Sequence, residues 1–134
     1  MKTVLITGAG IGIGRSTAVA FSKKGYRVIV TDILEEEGAD IVSEINKAGG
    51  TAKFYFLDVT STENANSVVE SVEKEFGVID TIVCNAGIAH KVPLDQLTDE
   101  KWDYLFDIDL KGMFKVIRPA LASMKSAKTG SIIC

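Results

Sequence analysis

The sequence predicts an α/β fold in which a doubly wound parallel sheet is covered by helices on both faces, giving three α/β/α layers. Short apolar runs of strand length alternate along the chain with longer stretches whose apolar residues recur at helical spacing. Right-handed crossovers between parallel strands place those helices on the two faces of the sheet. The length of 134 residues suits one domain with a substantial core.

A glycine-rich segment follows the first apolar run, Val4 to Ile6. It covers Thr7 to Gly14, reads Thr-Gly-Ala-Gly-Ile-Gly-Ile-Gly, and leads into a helical pattern that ends at Gly25. Glycine adopts backbone angles that a side chain forbids, and it lets a pyrophosphate approach the amides at a helix N-terminus. The segment therefore predicts a phosphate-bearing cofactor, although alone it leaves open an ordinary glycine-rich turn.

The second predicted strand, Arg27 to Val30, ends at Thr31 and Asp32. Asp32 lies about 20 residues beyond the glycines, where a ribose-binding carboxylate is expected. Such a carboxylate accepts hydrogen bonds from a ribose diol and repels a 2′-phosphate, which predicts NAD rather than NADP as the cofactor. The alternative is that Asp32 caps the next helix, predicted from about Leu34 to Ala48.

A third strand is predicted from Ala52 to Leu57, followed by Asp58 and Val59. The next residues, Thr60 to Glu63, have the pattern of a capping box, in which the Thr60 hydroxyl and the Glu63 carboxylate each bond the other's backbone amide. We expect a helix to begin at this box and to end at Gly77.

The fourth predicted strand, Thr81 to Cys84, runs into Asn85, Ala86 and Gly87. Small residues let a ligand approach the backbone, and the Asn amide can tie neighbouring strands through its donor and acceptor. The pattern Thr-Gly-x-x-x-Gly-x-Gly after the first strand and Asn-Ala-Gly after the fourth resemble two motifs of the short-chain dehydrogenase/reductase family. The general pattern G-x-G-x-x-G is not matched.

The resemblance implies a Rossmann-type sheet with strand order 3-2-1-4-5 and NAD bound where the sheet reverses direction. It also implies which residues contact the cofactor: Gly8, Gly10, Ile11, Gly12, Ile13, Gly14, Asp32, Ile33, Asp58, Val59, Asn85, Ala86 and Gly87. Asp58 and Val59 are expected beside the adenine ring, and a turn-forming role for Asp58 is the alternative. NADP enzymes of the family often carry a basic residue where Ile11 and Ile33 stand.

A long amphipathic helix with a buried apolar face is predicted from about Thr98 to Met124. Asp109 falls within this apolar stripe, where a carboxylate needs a partner. By resemblance, the segment that begins at Asp109 aligns with Asn-Leu-x-Gly, whose Asn belongs to a catalytic tetrad and supports a proton relay. Asp109 is therefore a candidate catalytic residue that departs from the family pattern, and a carboxylate tied to a backbone amide is the alternative.

Near the end of the chain, Gly130 to Ile133, which read Gly-Ser-Ile-Ile, are similar to the start of the family's fifth strand. The family's catalytic Ser is not present, and none of Tyr26, Tyr55 and Tyr104 has the Lys that should follow four residues later. We therefore expect residues 1–134 to be one dinucleotide-binding domain, truncated at the fifth strand and inactive alone. The complete enzyme would interconvert an alcohol and a carbonyl, and a non-catalytic NAD-binding module is the alternative.

Composition excludes several other classes of partner. The net charge of −3 and the lack of a basic cluster argue against nucleic acid, and no apolar run has the length of a membrane span. Cys84 and Cys134, on predicted buried strands, are expected as free thiols in a cytoplasmic protein rather than as a disulfide or a metal site. His90 is expected either in the substrate pocket or solvated in a loop. The family resemblance implies a homo-oligomer, either a dimer or a tetramer.

Overall fold

The computed structural model describes the whole chain from Met1 to Cys134. Its strands are β1 (Thr3–Thr7), β2 (Arg27–Asp32), β3 (Thr51–Phe56), β4 (Thr81–Val83) and β5 (Ser131–Ile133). They form one sheet in the order β3-β2-β1-β4-β5, and every neighbouring pair is parallel. The chain moves outward from β1 to β3 and then returns past β1 to β4, so the sheet reverses direction between β1 and β4. The predicted fold class and strand order are confirmed.

Helices connect the strands and cover both faces of the sheet. They are α1 (Gly12–Lys23), α2 (Glu35–Lys47), α3 (Thr62–Phe76), α4 (Asp99–Phe106) and α5 (Gly112–Ala127). A short 3-10 helix (Leu94–Gln96) precedes α4, and a π-helical turn (Asp107–Lys111), called the π turn below, joins α4 to α5.

Two hydrophobic cores lie on opposite faces of the sheet because side chains alternate along β1. Leu5 belongs to the core formed with α3 and α5, whereas Val4 and Ile6 belong to the core formed with α1 and α2. All three side chains are fully buried. β1 is therefore the buried centre of the sheet, as expected for a parallel strand covered on both faces.

The predicted capping box is wrong by one residue. Ser61 is the N-cap of α3, and its Oγ accepts a hydrogen bond from the amide of Asn64 at 3.1 Å. Thr60 is not available for this role, because its amide and its hydroxyl both donate to Oδ1 of Asp58, at 2.9 and 2.7 Å. The turn formed by Asp58 thus displaces the helix start.

The predicted long helix is continuous but not uniformly α-helical, and its apolar face is only partly buried. Val116, Ala120 and Met124 of α5 are buried in the core. In α4, by contrast, Trp102 and Phe106 are 51% and 38% exposed and stack on each other with ring centroids 4.6 Å apart. The prediction of a buried face therefore fails for α4, which packs mainly on the adjoining π turn.

Gly14 allows α1 to begin directly against the end of β1. A Cβ atom at Gly14 would lie 2.1 Å from the carbonyl oxygen of Gly8 and 2.5 Å from Nδ2 of Asn85. Neither atom can move without a large energetic cost, because the Gly8 oxygen belongs to the backbone and Nδ2 of Asn85 is held by hydrogen bonds.

We expect Gly14→Ala to lower the free energy of unfolding of the complete protein by about 3 kcal/mol, since the added methyl group must push α1 away from β1. Urea denaturation followed by circular dichroism measures this change. Ile13→Ala is the control, because Ile13 is 80% exposed on the same turn and its truncation should cost no more than about 0.5 kcal/mol. Wild-type stability in Gly14→Ala would contradict the close packing.

Candidate functional site

A pocket of about 600 Å³ opens where the sheet reverses direction, and the segments that follow β1, β2, β3 and β4 form its walls. This volume lies in the range of pockets that bind small molecules and cofactors. The predicted cofactor-binding residues line it with the exception of Gly10 and Gly14, and the predicted catalytic Asp109 does not line it either. Prediction missed the remaining lining residues: Leu34, Leu57, Thr60, Ile88, Tyr104 and Ile108.

Asp32 lines the pocket and also ties the glycine segment to the end of β2. Its Oδ2 accepts the amide of Gly10 at 2.8 Å, and its Oδ1 accepts the amide of Leu34 at 3.1 Å. The N-cap of α2 is Leu34, so Asp32 is not the helix cap of the alternative interpretation. Because a carboxylate has about four acceptor positions, each oxygen of Asp32 keeps one for a ligand hydroxyl.

The N-terminus of α1 faces the pocket without a side chain to cap it. Its N-cap residue, Ile11, makes no capping hydrogen bond, and its first turn contains no acidic residue. Side chains cap α3 and α4, through Ser61 and Thr98 respectively. The first amides of α1 therefore remain available to an anion. Gly12 lies beside them with a φ of +58°, a conformation that favours glycine, and it has no Cβ atom to block a ligand. These features fit the pyrophosphate of a dinucleotide.

Asn85 joins the end of β4 to the end of β1, as predicted. Its Nδ2 donates to the carbonyl oxygens of Thr7 and Gly8 at 3.0 and 2.9 Å. In return, the Thr7 hydroxyl oxygen accepts the amides of Asn85 and Ala86 at 3.0 and 2.9 Å. The two segments that form the floor of the pocket are thus held together by four hydrogen bonds.

Asp58 forms a turn, as in the alternative interpretation, and it also lines the pocket. Its Oδ1 binds the amide and the hydroxyl of Thr60, and its own amide donates to Oδ1 of Asn64 at 2.7 Å. Oδ2 makes no hydrogen bond within the chain, and an adenine amine is a group of the type it could accept.

Asp109 lies in the π turn and holds the segment after β4 from outside the pocket. Its Oδ1 accepts the amide of Ile88 at 2.8 Å, and a Cβ atom at Gly87 would lie only 3.2 Å from the same oxygen. This is the backbone tie of the alternative interpretation. An Asn side chain at this position has the same acceptor, so the tie does not depend on the carboxylate.

Cys84, Cys134 and His90 add no second reactive centre. Burial, with a smaller contribution from Cys134, raises the pKa of the Cys84 thiol to about 12, which makes it a poor nucleophile. Cys134 is exposed, contrary to prediction, and so are the three residues of the edge strand β5 that precede it. His90 is half-buried, its Nε2 has no hydrogen-bond partner, and it does not line the pocket.

Two further kinds of site are not found in the structure. No group of three or more His, Cys, Asp or Glu side chains is arranged to hold a metal ion. None of the helices combines the length and the apolar character that crossing a membrane requires.

Two curated relatives match nearly the whole of this chain in sequence. A 3-oxoacyl-[acyl-carrier-protein] reductase of Thermotoga maritima is 37% identical over 132 residues, which are 98% of this chain and 54% of the relative. A cyclopentanol dehydrogenase of Comamonas is 33% identical over 98% of this chain and 53% of the relative. The chain thus spans about half the length of these relatives.

Solved structures agree with these sequence relationships. A gluconate 5-dehydrogenase from Burkholderia cenocepacia, in complex with NADP and tartrate, superposes with a TM-score of 0.91 at 30% identity, covering 98% of this chain and 51% of that one. A 3-ketoacyl-ACP reductase from Sinorhizobium meliloti also gives 0.91, at 34% identity, over 97% of this chain and 51% of that one. The family model described as short chain dehydrogenase matches residues 2–134, and the chain therefore belongs to this family of oxidoreductases.

Proposed function

We propose that the protein is an NAD-dependent oxidoreductase that interconverts an alcohol and a carbonyl by hydride transfer, with residues 1–134 as its dinucleotide-binding domain. The observation that carries this proposal is the convergence, on one pocket, of the uncapped N-terminus of α1 and the carboxylates of Asp32 and Asp58. An acyl-carrier-protein reductase and a cyclopentanol dehydrogenase among its relatives support chemistry on a C–O group.

The pocket residues divide the work of holding the cofactor. The amides at the start of α1, next to Ile11, Gly12 and Ile13, would bind the pyrophosphate. Asp32 would accept hydrogen bonds from the adenosine ribose, and the segment from Asp58 to Val59 would contact the adenine. The segment from Asn85 to Gly87 would lie along the second ribose. When bound, the dinucleotide supplies the hydride acceptor or donor, and these residues orient it.

The preference for NAD rests on Asp32 and its neighbours. A 2′-phosphate would have to lie near a carboxylate that is itself buried, with no cation at Ile11 or Ile33 to compensate its charge. A relative binds NADP, so the choice between the two cofactors depends on such side chains rather than on the fold.

Residues 1–134 hold no Tyr-x-x-x-Lys pair, so we place the general acid and base outside them. Asp109 would support that machinery by holding the segment after β4 in place. A second candidate function is a non-catalytic NAD-binding module, and Asp109 itself favours it, because it replaces the family's Asn.

The cysteines and the exposed aromatic side chains support proposals about the compartment and the oligomeric state of the complete protein. Both cysteines are free, which supports a reducing compartment such as the cytoplasm. The exposed aromatic side chains of α4 and α5, Trp102, Phe106 and Phe114, support assembly into a dimer or tetramer.

The activity itself is tested by the absorbance of NADH. The complete protein, supplied with NAD and a panel of secondary alcohols, should produce NADH, whereas residues 1–134 alone should produce none because the acid-base residues are missing. The same two samples titrated with NAD give the binding control. NAD binding without turnover by the complete protein on any alcohol or ketone would favour the non-catalytic module.

Cofactor choice is tested with Asp32→Ala and Asp32→Asn in the complete protein. The wild type should bind NAD at least roughly tenfold more tightly than NADP, since a like charge near a buried carboxylate costs more than 1.4 kcal/mol. Both variants should narrow this ratio. Asp32→Asn keeps an acceptor for the amide of Gly10, so it separates the loss of charge from the loss of that tie. Equal wild-type affinities for the two cofactors would defeat the assignment.

Asp109 is tested with a matched pair of variants. Asp109→Asn keeps the acceptor for the amide of Ile88 and should keep or raise turnover, whereas Asp109→Ala removes it and should lower kcat roughly a hundredfold through misplacement of the pocket wall. Steady-state kinetics and thermal melting of both variants provide the comparison. A well-folded Asp109→Asn enzyme without activity would mean that the carboxylate has a catalytic role of its own.

A further inference from the structure

Lys115 is the one lysine with a buried side chain, and it connects α5 to the loop after β3. Its side chain is only 8% exposed, while its neighbours on the inner face of α5, Val116 and Ala120, are apolar. Burying an ammonium group is costly unless it is paired and hydrogen-bonded. An apolar residue would fill this core position at lower cost, so the contacts of the Lys115 ammonium group need an explanation.

Those contacts lead to the wall of the pocket. Nζ of Lys115 donates to the backbone carbonyl oxygen of Thr60 at 2.5 Å and to Oδ1 of Asp107, in the π turn, at 3.3 Å. Thr60 lines the pocket, and its amide and hydroxyl are held by Oδ1 of Asp58. The ammonium group therefore binds Thr60, and the amide and hydroxyl of Thr60 orient the Asp58 carboxylate.

A second contact from the start of α5 supports the same loop. Gly112 packs so closely on Val59 that a Cβ atom at Gly112 would lie 2.8 Å from Cγ2 of Val59. The loop from Asp58 to Thr60 is thus fixed at one point by packing and at another by a charge-assisted hydrogen bond, which is stronger than a neutral one.

We propose that Lys115 is a positioning residue for cofactor binding, which holds the loop from Asp58 to Thr60 in the conformation that receives the adenosine end of the dinucleotide. This inference rests on the proposed function, because it assigns the loop to adenosine. Asp107 is its counter-ion and keeps the ammonium group directed at the carbonyl of Thr60. The nicotinamide end, at the segment after β4, is held separately through Asp109.

The test compares Lys115→Met with Lys111→Met in the complete protein. Both substitutions remove a lysine that approaches Asp107, but Lys111 is 65% exposed, lies 3.6 Å from that carboxylate and makes no hydrogen bond to Thr60. Calorimetric titration with ADP-ribose measures binding of the dinucleotide without its nicotinamide, so the adenosine end is retained and the nicotinamide makes no contribution to the Kd. Lys115→Met should raise the Kd for ADP-ribose roughly tenfold, Lys111→Met should leave it unchanged, and Lys115→Arg should recover part of the loss.

Kinetics separate positioning from general loosening of the fold. For Lys115→Met the KM for NAD should rise by a similar factor, while kcat at saturating NAD stays near the wild-type value. Should this variant melt below the assay temperature, Asp107→Asn replaces it, since it removes only the counter-ion from a partly exposed position, and its Kd for ADP-ribose should rise several-fold.

The outcomes distinguish the inference from the function on which it rests. A folded Lys115→Met or Asp107→Asn variant with wild-type affinity for ADP-ribose, or an equal loss in Lys111→Met, overturns the role of Lys115 and leaves NAD binding standing. A wild-type protein that binds neither NAD nor ADP-ribose overturns the proposed function, and the role of Lys115 falls with it.

Discussion

The close approach of α1 to the ends of β1 and β4 is the constraint on which the rest of the structure depends. Gly14 lets the helix begin where any side chain would strike the carbonyl oxygen of Gly8. Nδ2 of the Asn85 side chain donates to that same carbonyl oxygen, so the end of β4 is held against the end of β1 at this point. Because the order of the strands reverses between β1 and β4, the fixed ends of these two strands form the floor of the pocket.

Around this floor, each loop is held by an ionisable side chain bound to backbone. Asp32 binds the amide of Gly10, Asp58 the amide of Thr60, Asp109 the amide of Ile88, and Lys115 the carbonyl of Thr60. Such bonds fix the loops and leave part of the acceptor capacity of each carboxylate unused. The amides of α1 and the free oxygen positions of Asp32 and Asp58 consequently remain for the ligand.

The parts of this design that sequence patterns predicted are those with a local cause. The strands follow from short apolar runs, and the binding segments follow from glycine and Asn at strand ends, where backbone conformation limits the residue type. The cap at Ser61 was missed because the side chain of Asp58 binds Thr60, so that two local motifs compete for the same residue.

The π turn and the exposure of Trp102 were missed for a different reason. A π segment of five residues is too short to alter the apolar spacing of the whole stretch. That spacing also does not reveal whether a neighbouring layer covers the helix. Lys115 has no sequence signal at all, since its role arises only when α5 packs on the loop after β3.

Asp109 shows how a position behind a pocket wall differs from one on its surface. The bond that it makes to the amide of Ile88 needs only an acceptor oxygen, which Asp and Asn both have, so exchange between them leaves the wall in place. What an Asn has in addition is a donor, and only a hydrogen-bond partner beyond the wall would use it. Structural support and participation in a proton relay therefore make separate demands on this side chain. The first demand is met by the acceptor oxygen of Asp109, and the second calls for a donor, which a carboxylate lacks.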